Sequence, residues 1–379
     1  MGSGHAIAEA PNVATDIGPV HGLVARVMEG VGSPDQIVPP GASPHSHSMR
    51  PSEARALDRA DVVFWVGHDL TPWLEGPIET LAADAVVVEL LEAEGTQLLT
   101  YRESATFALD VAETEAHDEH DEDGHDDHGH KDHDHKEHGH EDHDHEKHDH
   151  DAHGHEDAHD DHKDDHADHA DHANHDTDGH DSHDHDAHDH EEHAHEEHGH
   201  DAHGHDHAAG GTDPHAWLMA ENGKTWLSQI AQTLASVDAE NADLYLANAA
   251  AGQAEIDAAK AQISSQLADL KTKPIVVFHD AYQYFEVGFD LPIAGAIALS
   301  DASDPSPARI AAIQETVREN NVDCVLSEPQ FNSGLVATVM DGTTAKTAVV
   351  DPIGSALTPG PQFYVELLTS IGSSIAACK

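Results

Sequence analysis

The sequence predicts an α/β protein of two lobes, each built on a central parallel sheet flanked by helices, joined by a long backbone helix and interrupted by a disordered His/Asp-rich insert. Three observations lead there. Apolar runs of strand length alternate with helical stretches on both sides of the insert, the rhythm of parallel sheets covered on both faces. From about Ala220 to Leu270 there is no proline, and only Gly223 and Gly252 interrupt an alanine-rich, helix-forming stretch. Residues 117–207 carry no large apolar side chain, so they cannot bury enough surface to offset the entropy of ordering and are expected to be disordered without metal. The boundaries that follow are a tail with a tag remnant (1–11), an N-terminal lobe (12–112), the His-rich loop (113–211), a linking helix region (212–272) and a C-terminal lobe (273–379).

The elements are read in order. Residues 12–17 form a strand and 19–29 a helix opened by Pro19, whose fixed φ suits a first turn. Residues 36–38 are a short strand followed by a Pro/Gly/Ser loop, and Ser52 caps a helix over 53–60. The unbroken apolar run 62–66 is a strand, 72–81 a helix and 85–89 a strand. The stretch 220–270 is one very long helix or two nearly continuous ones. The first half's grammar then repeats: strand 274–278, helix 281–287, helix 305–320, strand 322–326, helix 334–340, strand 348–350 and helix 361–377.

Charge narrows the partners. The formal net charge is −57, and residues 117–207 supply −32 of it through 36 acidic and 4 basic residues. Such a field repels nucleic acid and attracts cations. No run of eighteen or more apolar residues is present, so nothing reads as membrane-spanning. The opening Met1-Gly2-Ser3-Gly4-His5 resembles a tag remnant and is set aside. The two cysteines allow one intramolecular pair: Cys324 lies in an apolar strand and Cys378 is penultimate. A reducing compartment would leave two thiols, and an oxidising one would permit a bridge from the second lobe to the closing helix.

Chemistry concentrates in histidine. Of 40 histidines, 33 lie in 117–207. Their His-Asp-His and His-Gly-His spacing makes interchangeable, loosely selective chelators, with His117, His120, His125, His128, His130, His203, His205 and His207 near the two ends. Outside the loop, His45 follows a short strand, His279 follows strand 274–278, and His215 opens the long helical stretch. Asp351 also follows a strand. Doubly wound folds bind ligands at the carboxyl ends of their strands, so three imidazoles and a carboxylate could converge there as a tetrahedral Zn²⁺ set. His47 stands two residues from His45 as a substitute ligand; His21 and His68 read as structural or solvent-facing. Glu328 ends another strand, as a support for a ligand or a local cap. No HExxH run falls in a stretch read as helix, which argues against a zinc hydrolase.

Taken together, the motifs resemble a known family. The loop Gly41-Ala42-Ser43-Pro44-His45, the runs Asp213-Pro214-His215-Ala216-Trp217 and Phe278-His279-Asp280-Ala281-Tyr282, and Val350-Asp351-Pro352 are similar, in that order, to the four ligand motifs of cluster A-I substrate-binding proteins. These are zinc and manganese receptors of ABC importers, and the His/Asp-rich loop before the second ligand resembles the zinc branch. The resemblance implies a non-enzymatic periplasmic receptor that delivers Zn²⁺ to a membrane permease, with a periplasmic zinc chaperone as a further partner and a monomeric state. It also implies His45, His215, His279 and Asp351 as ligands and a Cys324–Cys378 bridge.

Overall fold

The computed structural model describes residues 10–109, 211–299, 304–331 and 333–378, all within one compact unit. The His-rich loop, with the sites expected at His117, His120, His125, His128, His130, His203, His205 and His207, lies outside the described residues.

The N-terminal lobe runs β1 (Val13–Thr15), α1 (Gly18–Val27), β2 (Asp35–Gln36), α2 (Pro51–Asp58), β3 (Val62–Trp65), α3 (Pro72–Leu81) and β4 (Val86–Glu89). Its four strands pair in parallel in the order β2-β1-β3-β4. β1 and β3 are buried throughout because they lie inside the sheet under helices on both faces. Helix α2 begins one turn-position earlier than its cap signal suggests. Pro51 takes the first helical position and Glu53 reaches back to accept the Arg50 backbone N–H at 2.7 Å, so Ser52 lies inside the first turn.

The alanine-rich stretch resolves into two helices, α4 (Ala220–Val237) and α5 (Ala242–Leu267). The break falls at Asp238 and Asn241. Asp238 accepts from the Asn241 side chain at 2.7 Å and from the Tyr245 hydroxyl at 2.8 Å, local bonds that compete with a continuous helical ladder. The helices pack antiparallel, as the Lys224–Asp257 and Lys260–Glu221 ion pairs show. The 26-residue α5 is the long helix behind both lobes. On one side Arg26 of α1 grips Glu255 through two 3.0 Å bonds. On the other, Ile263 packs on Gly372 of the last helix.

The C-terminal lobe follows as β5 (Ile275–His279), α6 (Gln283–Phe289), β6 (Ile293–Ala298), α7 (Pro307–Glu319), β7 (Cys324–Ser327), α8 (Ser333–Met340), β8 (Lys346–Val349) and α9 (Phe363–Ala376). Its sheet is again parallel, in the order β6-β5-β7-β8. Strand β6 is absent from the sequence-based reading. Its run Ile293-Ala294-Gly295-Ala296 has little β-branched character, so burial between neighbours forms this strand more than propensity does. One continuous apolar core passes from Val13 and Leu23 through Trp226 and Ile256 to Val277 and Leu367.

Residues 99–109 cross to the second lobe before the His-rich loop. Phe107 N–H donates to Ala294 O at 2.9 Å and Ala296 N–H to Ala105 O at 3.1 Å, adding a short antiparallel edge to β6. Gly295 is required there, since a Cβ would stand 2.5 Å from Ala105 O. The returning chain meets the departing one: Tyr101 N–H donates to Gly211 O at 2.9 Å and Asp213 N–H to Leu99 O at 2.8 Å.

Cys324 of β7 is bonded to Cys378, just past α9, closing a sequence separation of 54 residues. Constraining a loop of that length in the unfolded chain stabilises by about 4 kcal/mol in the chain-entropy model. Reduction, or Cys378→Ser, is therefore expected to lower stability by about 2–4 kcal/mol in a denaturant titration. Asp16, wholly buried at the end of β1, accepts from Ile17 N–H and Val66 N–H at 2.7 Å each, and burial pushes its pKa up to about 7. A carboxyl raised on folding favours the native state when protonated and loses that contribution as pH rises from about 4 to 7. The melting temperature of Asp16→Asn minus that of the wild type should accordingly climb across this range.

Candidate metal centre

Each of the three histidines is placed by a different part of the fold. His45 sits in the loop between β2 and α2, and Trp73 of α3 anchors that loop by donating its indole N–H to Pro44 O at 2.7 Å. His215 precedes the short turn Ala216–Leu218 that leads into α4. His279 is the last residue of β5, at the carboxyl end of the central strand of its sheet.

These rings meet in one cleft. The His45 and His215 centroids are 5.7 Å apart, and those of His215 and His279 are 5.4 Å apart. A zinc ion about 2.0–2.1 Å from each ring nitrogen in tetrahedral geometry sets the centroids roughly 5 Å apart, and these two pairs stand slightly wider than that. The cavity is about 260 Å³ and is lined by the three histidines with Trp217, Glu328 and Phe331. Phe331 stacks on Phe278 and meets the His279 ring edge-on at 5.6 Å, giving that wall an apolar backing.

Two of the imidazoles carry a buried carboxylate. His215 Nδ1 lies 2.8 Å from Asp213 Oδ1, which also accepts the His215 backbone N–H at 3.0 Å. His279 Nδ1 lies 2.6 Å from Glu328 Oε1. A carboxylate is an acceptor, so Nδ1 carries the proton and Nε2 is the nitrogen with a lone pair for a cation. Asp213 and Glu328 are 1% and 5% exposed, which strengthens both bonds.

Asp351 is placed otherwise. Its Oδ1 accepts from the N–H groups of Ile353 and Gly354 at 3.1 Å, and Oδ2 from Ser355 N–H at 2.7 Å and its hydroxyl at 2.5 Å. The carboxylate thus closes the 351–355 turn and does not line the cavity. His47 is likewise outside the cavity: its Nε2 is 2.8 Å from Glu53 Oε2, and its ring meets Trp73 edge-on at 5.5 Å. His68 pairs with Glu75 on an exposed surface, and His21 is buried in α1, where burial pulls its pKa down.

A model of the family described as ZnuA, zinc-uptake complex component A, periplasmic, matches residues 13–378. The chain belongs to the ZnuA family. The high-affinity zinc uptake system protein ZnuA of Brucella abortus (strain 2308) is 37% identical over 370 residues, covering 98% of this chain and 92% of that protein. The protein of the same description from Paracoccus denitrificans (strain Pd 1222) is 38% identical over 372 residues, with the same coverage. A solved structure of a ZnuA deletion mutant with zinc bound superposes at a TM-score of 0.62 and 17% identity over 97% of each chain, which supports the shared fold. ZnuA proteins are periplasmic binding components of zinc uptake, and no described helix of this member is long and apolar enough to cross a membrane.

Sequence reasoning named Glu328 as a support but missed the others around the histidines. Asp213, two residues before His215, carries a local signal, because a carboxylate at that spacing can reach back to the ring. Arg102 carries none. It reaches from the chain crossing to grip Asp280 with bonds of 2.9 and 2.5 Å and Glu286 at 2.7 Å, while its guanidinium lies 3.7 Å over the Phe107 ring. Burial opposes its charge, yet the two carboxylates hold its pKa above the ordinary arginine value. Arg102→Ala would leave the buried Asp280 unpaired beside His279 and is expected to cost about 3–5 kcal/mol by thermal or denaturant unfolding.

Proposed function

We propose that this ZnuA family member captures Zn²⁺ in the cleft through the Nε2 atoms of His45, His215 and His279 and delivers it to the membrane permease of an ABC importer. The observation that carries this reading is the convergence of three imidazoles from separate segments, two of them backed by buried carboxylates. Neutral imidazole suits a borderline-soft cation, and three such ligands favour zinc over manganese, which prefers more oxygen. Asp213 and Glu328 lend negative charge from behind the rings. Asp351 reaches the fourth position only by exchanging its bonds to residues 353–355; otherwise water fills that place. The His-rich loop recruits or buffers zinc: its net charge of −32 raises the local cation concentration and its 33 histidines bind many ions weakly. The reading includes a monomeric periplasmic receptor and a zinc chaperone among its partners.

The test is a zinc titration against a tight chelator at neutral pH, on the full chain and on a 117–207 deletion. One tight equivalent is expected in both. His215→Ala should lose it while the full-length variant keeps many weak sites. Disappearance of tight binding with the loop would overturn the receptor reading in favour of a zinc buffer. A competition titration with manganese should show preference for zinc at the tight site.

A further inference from the structure

Three consecutive residues after His279 reach the groups behind both buried imidazoles. Tyr282, fully buried at the start of α6, donates its hydroxyl to Val350 O at 3.4 Å beside Glu328, the carboxylate that holds His279 Nδ1. Gln283, with its amide turned to donate, bonds Asp213 Oδ2 at 3.0 Å and Thr100 O at 3.1 Å. Tyr284 donates its hydroxyl to Asp213 O at 2.7 Å and accepts Leu99 N–H at 2.9 Å. Asp213 in turn holds His215. Successive residues at a helix start fan out by about 100° each, so one short segment can address supports that are far apart in sequence.

We propose that Gln283 is a positioning residue that presets His215 beside His279, so that these two imidazoles form a prebuilt half-site to which His45 adds the third ligand. This rests on the cleft reading above. A carboxylate fixed at one oxygen only can pivot and let its imidazole turn with it; a donor on the rest of the carboxylate removes that freedom. Metal sites need their ligands held within about 0.5 Å and 10–20° of the productive geometry. Loss of an outer partner of a ligand typically weakens metal binding by about 10–100-fold.

The test uses the full chain, with tight-site zinc affinity read by chelator competition and melting temperature read in the metal-free state. Gln283→Leu should weaken the tight site by about 10–100-fold. Val287→Ala, on the exposed side of the same helix, should leave it unchanged. A double-mutant cycle separates positioning from general support. Gln283→Leu should have less than about a twofold further effect in an Asp213→Asn background. A single variant within about twofold of wild type, or a loss that adds in full to that of the carboxylate variant, would overturn the proposal. A wild-type chain with no tight equivalent would instead remove the cleft reading itself, and the positioning claim with it.

Discussion

Trp217 stands where the supports of the site meet. Its fully buried indole donates to Pro352 O at 2.9 Å, and its own carbonyl accepts the Tyr364 hydroxyl at 2.7 Å. The segment bearing His215 is thereby tied to the turn closed by Asp351 and to α9. The ring lies 5.2 Å from His215 and forms part of the cleft wall, so the same residue packs the core and faces the ligand. Gly223 in α4 is part of this arrangement, because any Cβ there would collide with the Tyr364 hydroxyl. Without that junction, His215 would hang on a loop with only Asp213 to aim it.

Electrostatics in the cleft follow a division of labour. In the cleft the carboxylates of Asp213 and Glu328 stand one layer back, behind the rings of His215 and His279, and the His215 backbone N–H also donates to Asp213. Asp351, whose position after a strand invites a ligand role, accepts from residues 353–355 of its own turn and from the Gln330 amide at 3.2 Å. Carboxylates behind imidazoles stabilise a divalent ion while leaving the contact surface to nitrogen, which suits zinc.

Much of this was legible in the sequence because its signals are local. The apolar runs became β1, β3, β5 and β7, and Pro72 opened α3 where expected. His45, His215 and His279 stood out through their places next to strands and helix starts, and all three reach one cleft. What stayed hidden depends on distant partners. Strand β6 is made of alanine, glycine and isoleucine whose strand state comes from lying between β5 and residues 105–107. The break between α4 and α5 is a local exception, set by Asp238 bonding Asn241 and Tyr245 in place of a continuous helical ladder. Arg102 is unremarkable in sequence and gains its role only through residues some 180 positions away.

The pairing of Thr100 with Thr212, flanked by the bonds of Tyr101 to Gly211 and of Asp213 to Leu99, brings the two ends of a long excursion side by side. Residues 101–109 still pack on the second lobe, and the described chain resumes at Gly211 beside Tyr101. Loop closure depends only logarithmically on length, each doubling costing about 0.6 kcal/mol. Repeats of His and Asp can therefore be duplicated or deleted within residues 117–207 with little effect on the lobes.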